Sequence, residues 1–169
     1  MRRITAVLST AAVVMMAAGV LAQAKPNFAG SWVRDDSAAP AAPAGGGGRG
    51  GFGGRGGLGQ ELTITQDATN LTIEYTGGGQ NPAPVKLVYK LAGEGSNQVA
   101  GRGGTTDQKY KSAWDGSKLV VTTTQDFGGN MVESKRSFAL EGGNLVVETT
   151  QPGRDGGPGT PMKTVYKKK

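Results

Sequence analysis

The sequence contains neither cysteine nor histidine. Without cysteine there is no disulfide framework, no thiolate nucleophile and no thiolate metal site. Without histidine, the commonest general base and the commonest metal ligand are missing. These absences exclude a Ser-His-Asp triad, a Glu-His zinc protease and phosphate transfer through histidine. The acidic residues are scattered, apart from Asp35-Asp36, which we interpret as a solvated turn. We therefore predict a non-catalytic protein with no cofactor and no metal.

Long hydrophobic runs are missing after the N-terminal segment, which has the three parts of a secretory signal. Arg2 and Arg3 precede an apolar run over residues 4–21, and Ala22-Gln23-Ala24 follows as a small-residue cleavage site. The alternative is a retained membrane anchor, since about eighteen apolar residues could nearly span a bilayer. The many small residues favour cleavage. We predict a signal peptide over residues 1–24, a mature chain from Lys25, no stable membrane insertion, and a periplasmic or extracellular location.

Strong charge of one sign is also missing from the mature chain. The leader holds two arginines and no acid, so its removal lowers the formal net charge from +6 to +4. This charge is dispersed, which does not favour nucleic-acid binding. Residues 48–57 are similar to the Arg-Gly-Gly segments of RNA-binding proteins, but they hold only two repeats and export separates them from RNA. We predict that the Ala/Pro/Gly-rich residues 38–59 form a disordered loop within a single domain over residues 25–169.

From Glu61 onward, short alternating runs are separated by turn signals such as Asp115-Gly116, which is typical of an all-β fold. Turns this short join antiparallel neighbours. A long meander usually closes on itself to remove its edges. The sequence predicts an antiparallel up-and-down meander of about eight to ten strands, closed as a barrel, with a β-sandwich as the alternative. The predicted strands are 28–34, 61–66, 70–76, 84–91, 106–114, 118–125, 131–140, 144–150 and 162–167, with a doubtful short one near Gln98.

Parity along these strands separates an apolar face from a face rich in lysine and glutamate. Residues with the same parity lie on one face of a strand, so one face is predicted to be buried and the other wet. The predicted interior consists of Leu62, Ile64, Leu71, Ile73, Tyr75, Val85, Leu87, Tyr89, Leu91, Tyr110, Trp114, Leu119, Val121, Val132, Phe138, Leu140, Leu145, Val147, Met162 and Tyr166.

The opening Gly30-Ser31-Trp32 on the first strand of a meander resembles the lipocalin and avidin group of small barrels. The resemblance implies a calycin-type barrel in which Trp32 plugs the closed end, with Gly30 allowing close backbone approach beneath the ring. The Trp32 opening, residues 113–123 and residues 165–168 together look like a family of exported bacterial proteins. Avidin-like biotin sites hold several tryptophans, whereas this chain has two, so biotin is not implied.

Arg136 shares the parity of Val132 and Phe138, so it is predicted to point into the barrel. A buried guanidinium needs a partner. In the structural interpretation, Arg136 stacks on Trp32 and caps the closed end, as the lipocalin resemblance implies. In the functional interpretation, it meets an anionic ligand. The predicted ligand-lining set, whose alternative role is simple core filling, consists of Tyr75, Tyr89, Tyr110, Trp114, Arg136 and Tyr166.

Two functions are compatible with these patterns. The first is an exported, non-catalytic barrel that binds a small, partly apolar ligand in its interior. The alternative is an envelope or extracellular interaction module that uses its glycine-rich loop and basic rim, with a solid barrel behind them. The sequence predicts no oligomeric state.

Overall fold

The computed structural model describes residues 25–38, 58–77, 83–101, 104–127, 129–152 and 159–169. The predicted signal peptide and most of the predicted loop lie outside these residues. The described chain is all-β, as predicted, apart from one turn of 3-10 helix at Asp36–Ala38. Its strands are β1 Gly30–Arg34, β2 Glu61–Gln66, β3 Asn70–Thr76, β4 Pro84–Lys90, β5 Gly93–Gly101, β6 Gly104–Asp115, β7 Lys118–Phe127, β8 Asn130–Glu141, β9 Asn144–Thr150 and β10 Met162–Lys168.

The ten strands form one antiparallel sheet in the order β4-β3-β2-β1-β10-β9-β8-β7-β6-β5. The first and last strands pair, with Val33 opposite Lys167 and Arg34 opposite Tyr166. The amide of Asp35 extends this ladder to the carbonyl of Val165 at 2.8 Å. The two ends of the sheet, β4 and β5, lie next to each other, so the sheet curls into a nearly closed barrel. The predicted antiparallel meander is confirmed as a nearly closed barrel, and the sandwich alternative is wrong.

The alternating strand directions give the barrel two different ends. At the closed end, β2–β3, β4–β5, β6–β7 and β8–β9 are joined by short turns. Gly116 and Gly142 have φ angles of 59° and 57° in two of these turns, a conformation that favours glycine. At the opposite end, which we call the loop end, β1–β2, β3–β4 and β9–β10 are separated by the longer connections of the chain. The strand ends that these longer connections join therefore lie on one side of the barrel.

Buried apolar side chains fill the interior near the closed end. Trp32 is 3 % exposed and its indole Nε1 donates to the carbonyl oxygen of Phe28 at 2.9 Å. Phe28 is completely buried, stacks on Trp114 with ring centroids 6.0 Å apart and packs at a tilt against Phe138. These four rings form the aromatic cluster that closes the barrel. The burial of Trp32 agrees with the plug that the resemblance implied.

The chain ahead of β1 completes this closure. The amide of Phe28 donates to Gln66 Oε1 at 2.9 Å, and Gln66 Nε2 donates to the carbonyl of Pro26 at 3.2 Å. The ammonium of Lys25 lies 5.5 Å from the centre of the Trp114 ring, a cation–π contact. The described residues ahead of β1 therefore pack against the barrel.

Two side chains predicted to be buried are exposed. Leu140 is 37 % exposed and Met162 is 50 % exposed, although both have inward parity. Leu140 is the second-last residue of β8, and Met162 is the first residue of β10. Parity fixes the direction of a side chain, but depth in the barrel depends on how far the neighbouring strands extend.

Leu58, near the end of the predicted loop, is 3 % exposed and belongs to the core. The carbonyl oxygens of Leu58 and Gly59 accept from the Tyr166 hydroxyl at 3.3 and 3.2 Å. Leu58 therefore belongs to the packed part of the domain, while residues 39–57 lie outside the described residues.

Candidate functional site

Arg136 lies on the inner face of β8. It is paired with Val121 on β7, which is completely buried, and with Thr149 on β9. Directly paired residues share a face of the sheet. The guanidinium Nε donates to Thr149 Oγ1 at 3.5 Å, a long hydrogen bond. Parity thus predicted the direction of Arg136, and the strand register supplies its neighbours.

The interior changes character along β7 at the level of Arg136. Leu119 and Val121 face inward and are completely buried. Further toward the loop end, the inward positions are Thr123, which donates to the carbonyl of Ser134 at 3.3 Å, and Gln125, which accepts from Gln108 at 3.4 Å. Arg136 therefore lies at the boundary between an apolar interior and a polar one. The sequence alone shows the change from an apolar residue at Val121 to a polar one at Thr123. Only the strand register shows that this change lies beside Arg136.

Three of the predicted tyrosines lie within electrostatic reach of Arg136. Burial raises the pKa of Tyr75, Tyr89 and Tyr166, the last to about 12. The Arg136 charge opposes the shift at each, and at Tyr166 the Arg34 charge opposes it more strongly. All three are therefore protonated at neutral pH. The Tyr89 hydroxyl is completely buried and lies next to Arg136, which opposes the rise of its pKa by its charge and by a side-chain hydrogen bond. The arrangement combines a cation, neutral hydroxyl donors and apolar ring surface, which are the groups that recognise a partly apolar anion.

The remaining predicted site residues have other contacts. Trp114 belongs to the aromatic cluster at the closed end, where its buried Nε1 has no partner among the described residues. The hydroxyl of Tyr110 accepts from the backbone amide of Lys90 at 3.1 Å. Trp32 contacts Phe28, and the predicted stacking of Arg136 on Trp32 stays a prediction.

Two other features are missing from the described residues. They contain no group of three or more acidic residues arranged to hold a metal ion. No helix within the described ranges is long and apolar enough to cross a membrane.

Several solved structures share this antiparallel barrel fold. The wild-type fluorescent protein UnaG has a TM-score of 0.53 and is 18 % identical, with 84 % of this chain and 97 % of UnaG covered. A secretory abundant heat soluble protein from Ramazzottius varieornatus has a TM-score of 0.56 and is 17 % identical, with 84 % and 95 % covered. Zebrafish ileal bile acid-binding protein complexed with cholic acid has a TM-score of 0.54 and is 18 % identical, with 84 % and 98 % covered.

These identities are low, so the likeness establishes the fold alone. The sequence matches no protein-family model, and no curated protein is similar to it.

Proposed function

We propose that this protein is an exported, non-catalytic barrel that binds a small, partly apolar anion in its interior. The observation that carries the proposal is the position of Arg136, on the inner face of β8 where the interior changes from apolar to polar. The ligand's anionic group contacts the Arg136 guanidinium, and its apolar part lies against the tyrosine rings. The similar fold of a bile acid-binding protein, solved with cholic acid, supports this class of ligand.

The non-catalytic assignment rests on the groups available for chemistry. The chain has no histidine or cysteine, and the tyrosines near Arg136 have raised pKa values that keep them protonated. A protonated phenol donates a hydrogen bond but does not act as a general base. Export and cleavage near Lys25 are part of the proposal and rest on the composition of residues 1–24.

The proposal is tested by native mass spectrometry of the protein purified from its own cell envelope, with Arg136→Met and Lys135→Met as matched variants. Lys135 is the neighbouring residue, is exposed on the outer face and carries the same charge. We expect a bound anionic molecule with the wild type and Lys135→Met, and at least a tenfold loss of occupancy with Arg136→Met, because a hydrogen bond to a charged group contributes about 1.5–3 kcal/mol.

Arg136→Met also needs a stability control. Methionine keeps the apolar stem and removes a partly buried charge, so the free energy of unfolding should change by less than about 1.5 kcal/mol. Equal losses of bound ligand in Arg136→Met and Lys135→Met would contradict a site at Arg136. A wild-type protein that carries no ligand and binds no partly apolar anion would contradict the function.

The alternative function, an interaction module acting through the glycine-rich loop, depends on residues 39–57, outside the described residues. Deleting those residues distinguishes the two functions. The deletion should leave binding of the small anion within about twofold if the ligand lies at Arg136, whereas a loop-based module would lose its partner.

A further inference from the structure

One junction of the barrel differs from the others. Nine antiparallel ladders join neighbouring described strands, but β4 and β5 are adjacent without one. We call this junction the seam; it lies between β4 residues 88–90 and β5 residues 93–97. Backbone groups at a sheet edge need other partners, since an unpaired buried polar group is costly.

Three side chains supply those partners across the seam. The Asn97 amide accepts from the amide of Val88 at 2.8 Å and donates to its carbonyl at 3.1 Å, as a neighbouring strand would. The Tyr110 hydroxyl accepts from the amide of Lys90 at 3.1 Å. The Ser112 hydroxyl donates toward the carbonyls of Lys90 and Gly93. We call Asn97, Tyr110 and Ser112 the latch.

Gly95 makes room for the central member of the latch. Tyr110 is paired with Gly95 and its ring lies across the glycine to reach β4. A Cβ at position 95 would be 2.5 Å from the Tyr110 hydroxyl oxygen and 2.7 Å from Cζ, closer than real contacts allow. Tyr110 can therefore bridge the seam only because residue 95 has no side chain.

We propose that the barrel opens at the seam to admit its ligand, and that the latch holds the seam closed. The inference rests on the proposed function. Hydrogen bonds made by side chains can be released by rotamer changes, whereas a backbone ladder opens only when a strand moves. Ser112 also shares the inner face of the barrel with Arg136, because Ser112 is paired with Val121, which is paired with Arg136. In addition, the Tyr110 ring packs edge-on against Tyr89, with centroids 5.0 Å apart.

Hydrogen exchange of the ligand-free protein tests the opening directly. Tyr110→Phe keeps the ring and removes the hydroxyl that accepts from Lys90. We expect exchange at the Val88 amide to rise roughly fivefold, since the seam loses one hydrogen bond, although Val88's own partner Asn97 is unchanged. The amides of Leu87 and Tyr89, which point toward β3, should not change. Tyr75→Phe, a matched tyrosine outside the seam, should leave Val88 unaffected.

Stopped-flow fluorescence with 8-anilinonaphthalene-1-sulfonate, an apolar anion, tests entry. In Ser112→Ala, which removes a member of the latch outside the predicted ligand-lining set, we expect the association and dissociation rates to rise together, each roughly fivefold, with Kd within about twofold of wild type. Tyr110→Phe should raise both rates in the same direction and serves if Ser112→Ala does not fold.

The outcomes separate the two proposals. A wild-type protein that does not bind the probe contradicts the proposed function, while exchange at Val88 still tests the opening. Normal probe binding with unchanged rates in both variants overturns the latch and leaves the proposed function standing. A changed Kd with an unchanged association rate in Tyr110→Phe would place Tyr110 in the ligand contacts and would also overturn the latch.

Discussion

Trp32 is the residue whose removal should damage the barrel most. Its indole is 3 % exposed, is tied to the Phe28 carbonyl and lies at the centre of the closed end. Trp32→Ala should lower the free energy of unfolding by about 3–5 kcal/mol, because the cavity left among Phe28 and its neighbours cannot collapse completely. Denaturant unfolding measures the change. Met162→Ala, at a position that is 50 % exposed, should cost less than about 0.5 kcal/mol. Near wild-type stability for Trp32→Ala would contradict the plug.

For single residues, the sequence predicted whether the side chain faces the interior, but it did not predict which residues the side chain contacts. Alternation along β8 correctly turned Arg136 inward, since a strand has only two faces. Its neighbour Thr149 could not be found in this way, because the pairing of β8 with β9 depends on register. Tyr110 was assigned to the interior correctly, yet its hydroxyl bonds the backbone of a strand twenty residues earlier. Contacts of that kind depend on where the sheet ends, which no local pattern encodes.

At the scale of elements, most strands could be predicted and β5 could not. β2 and β3 have the predicted bounds, because alternating leucine and isoleucine mark them. β5 has nine residues, whereas only a doubtful short strand near Gln98 was predicted. Its inward positions include Gly93, Gly95 and Asn97, so the apolar alternation is missing. Gly95, one of the small residues that interrupt this alternation, also makes room for the Tyr110 ring.

Gly59, just ahead of β2, packs so closely against β3 that one added methyl group should destabilise the domain. A Cβ at Gly59 would be 2.8 Å from the carbonyl oxygen of Thr76 and 3.1 Å from the Tyr75 ring. The oxygen belongs to the backbone of β3 and cannot move aside, so Gly59→Ala should destabilise the domain by about 1–3 kcal/mol. Thermal unfolding measures the effect. Gly77→Ala is the graded control, because its nearest contact would be 3.3 Å away, and an equal effect in the two variants would contradict the steric account.

At the scale of the whole molecule, stability should fall at alkaline pH through its buried tyrosines. Burial raises the pKa of Tyr166 to about 12, whereas the unfolded residue titrates near 10. Between pH 10 and pH 12 the unfolded state has lost a proton that the folded state keeps. The contribution of Tyr166 to the free energy of unfolding is therefore fully present below pH 10 and is lost as the pH rises toward 12. Each such proton contributes a slope of about 1.4 kcal/mol per pH unit.

Tyr166→Phe provides the comparison for this pH dependence. The variant should be less stable at pH 8, because two backbone carbonyls lose their shared donor, but its stability should fall less steeply above pH 10. Denaturant midpoints measured from pH 8 to 12 give both slopes. The Lys163 ammonium, whose pKa is raised by its bond to Glu141, contributes a decline of the same sign in both proteins. Identical slopes would contradict the contribution of Tyr166.

The domain as a whole should tolerate loss of residues 39–57, between the 3-10 turn at Asp36–Ala38 and β2. Since loop closure depends only weakly on loop length, deletion of residues 39–57 should leave cooperative unfolding intact and the midpoint within about 1 kcal/mol of wild type. Leu58 must be kept, because its side chain is part of the core. Loss of cooperative unfolding would show that the deleted residues are structural.

The pairing of β1 with β10 also determines when folding can finish. Trp32 lies opposite Lys168, so the strand that carries the indole gains its second neighbour only after the chain has been synthesised through Lys168. Contacts between residues so far apart in sequence form slowly. Until β10 is available, β1 and β9 each keep an unpaired edge, and the barrel cannot enclose its core. Completion of the barrel is therefore a late event in folding, because it needs the two ends of the domain together.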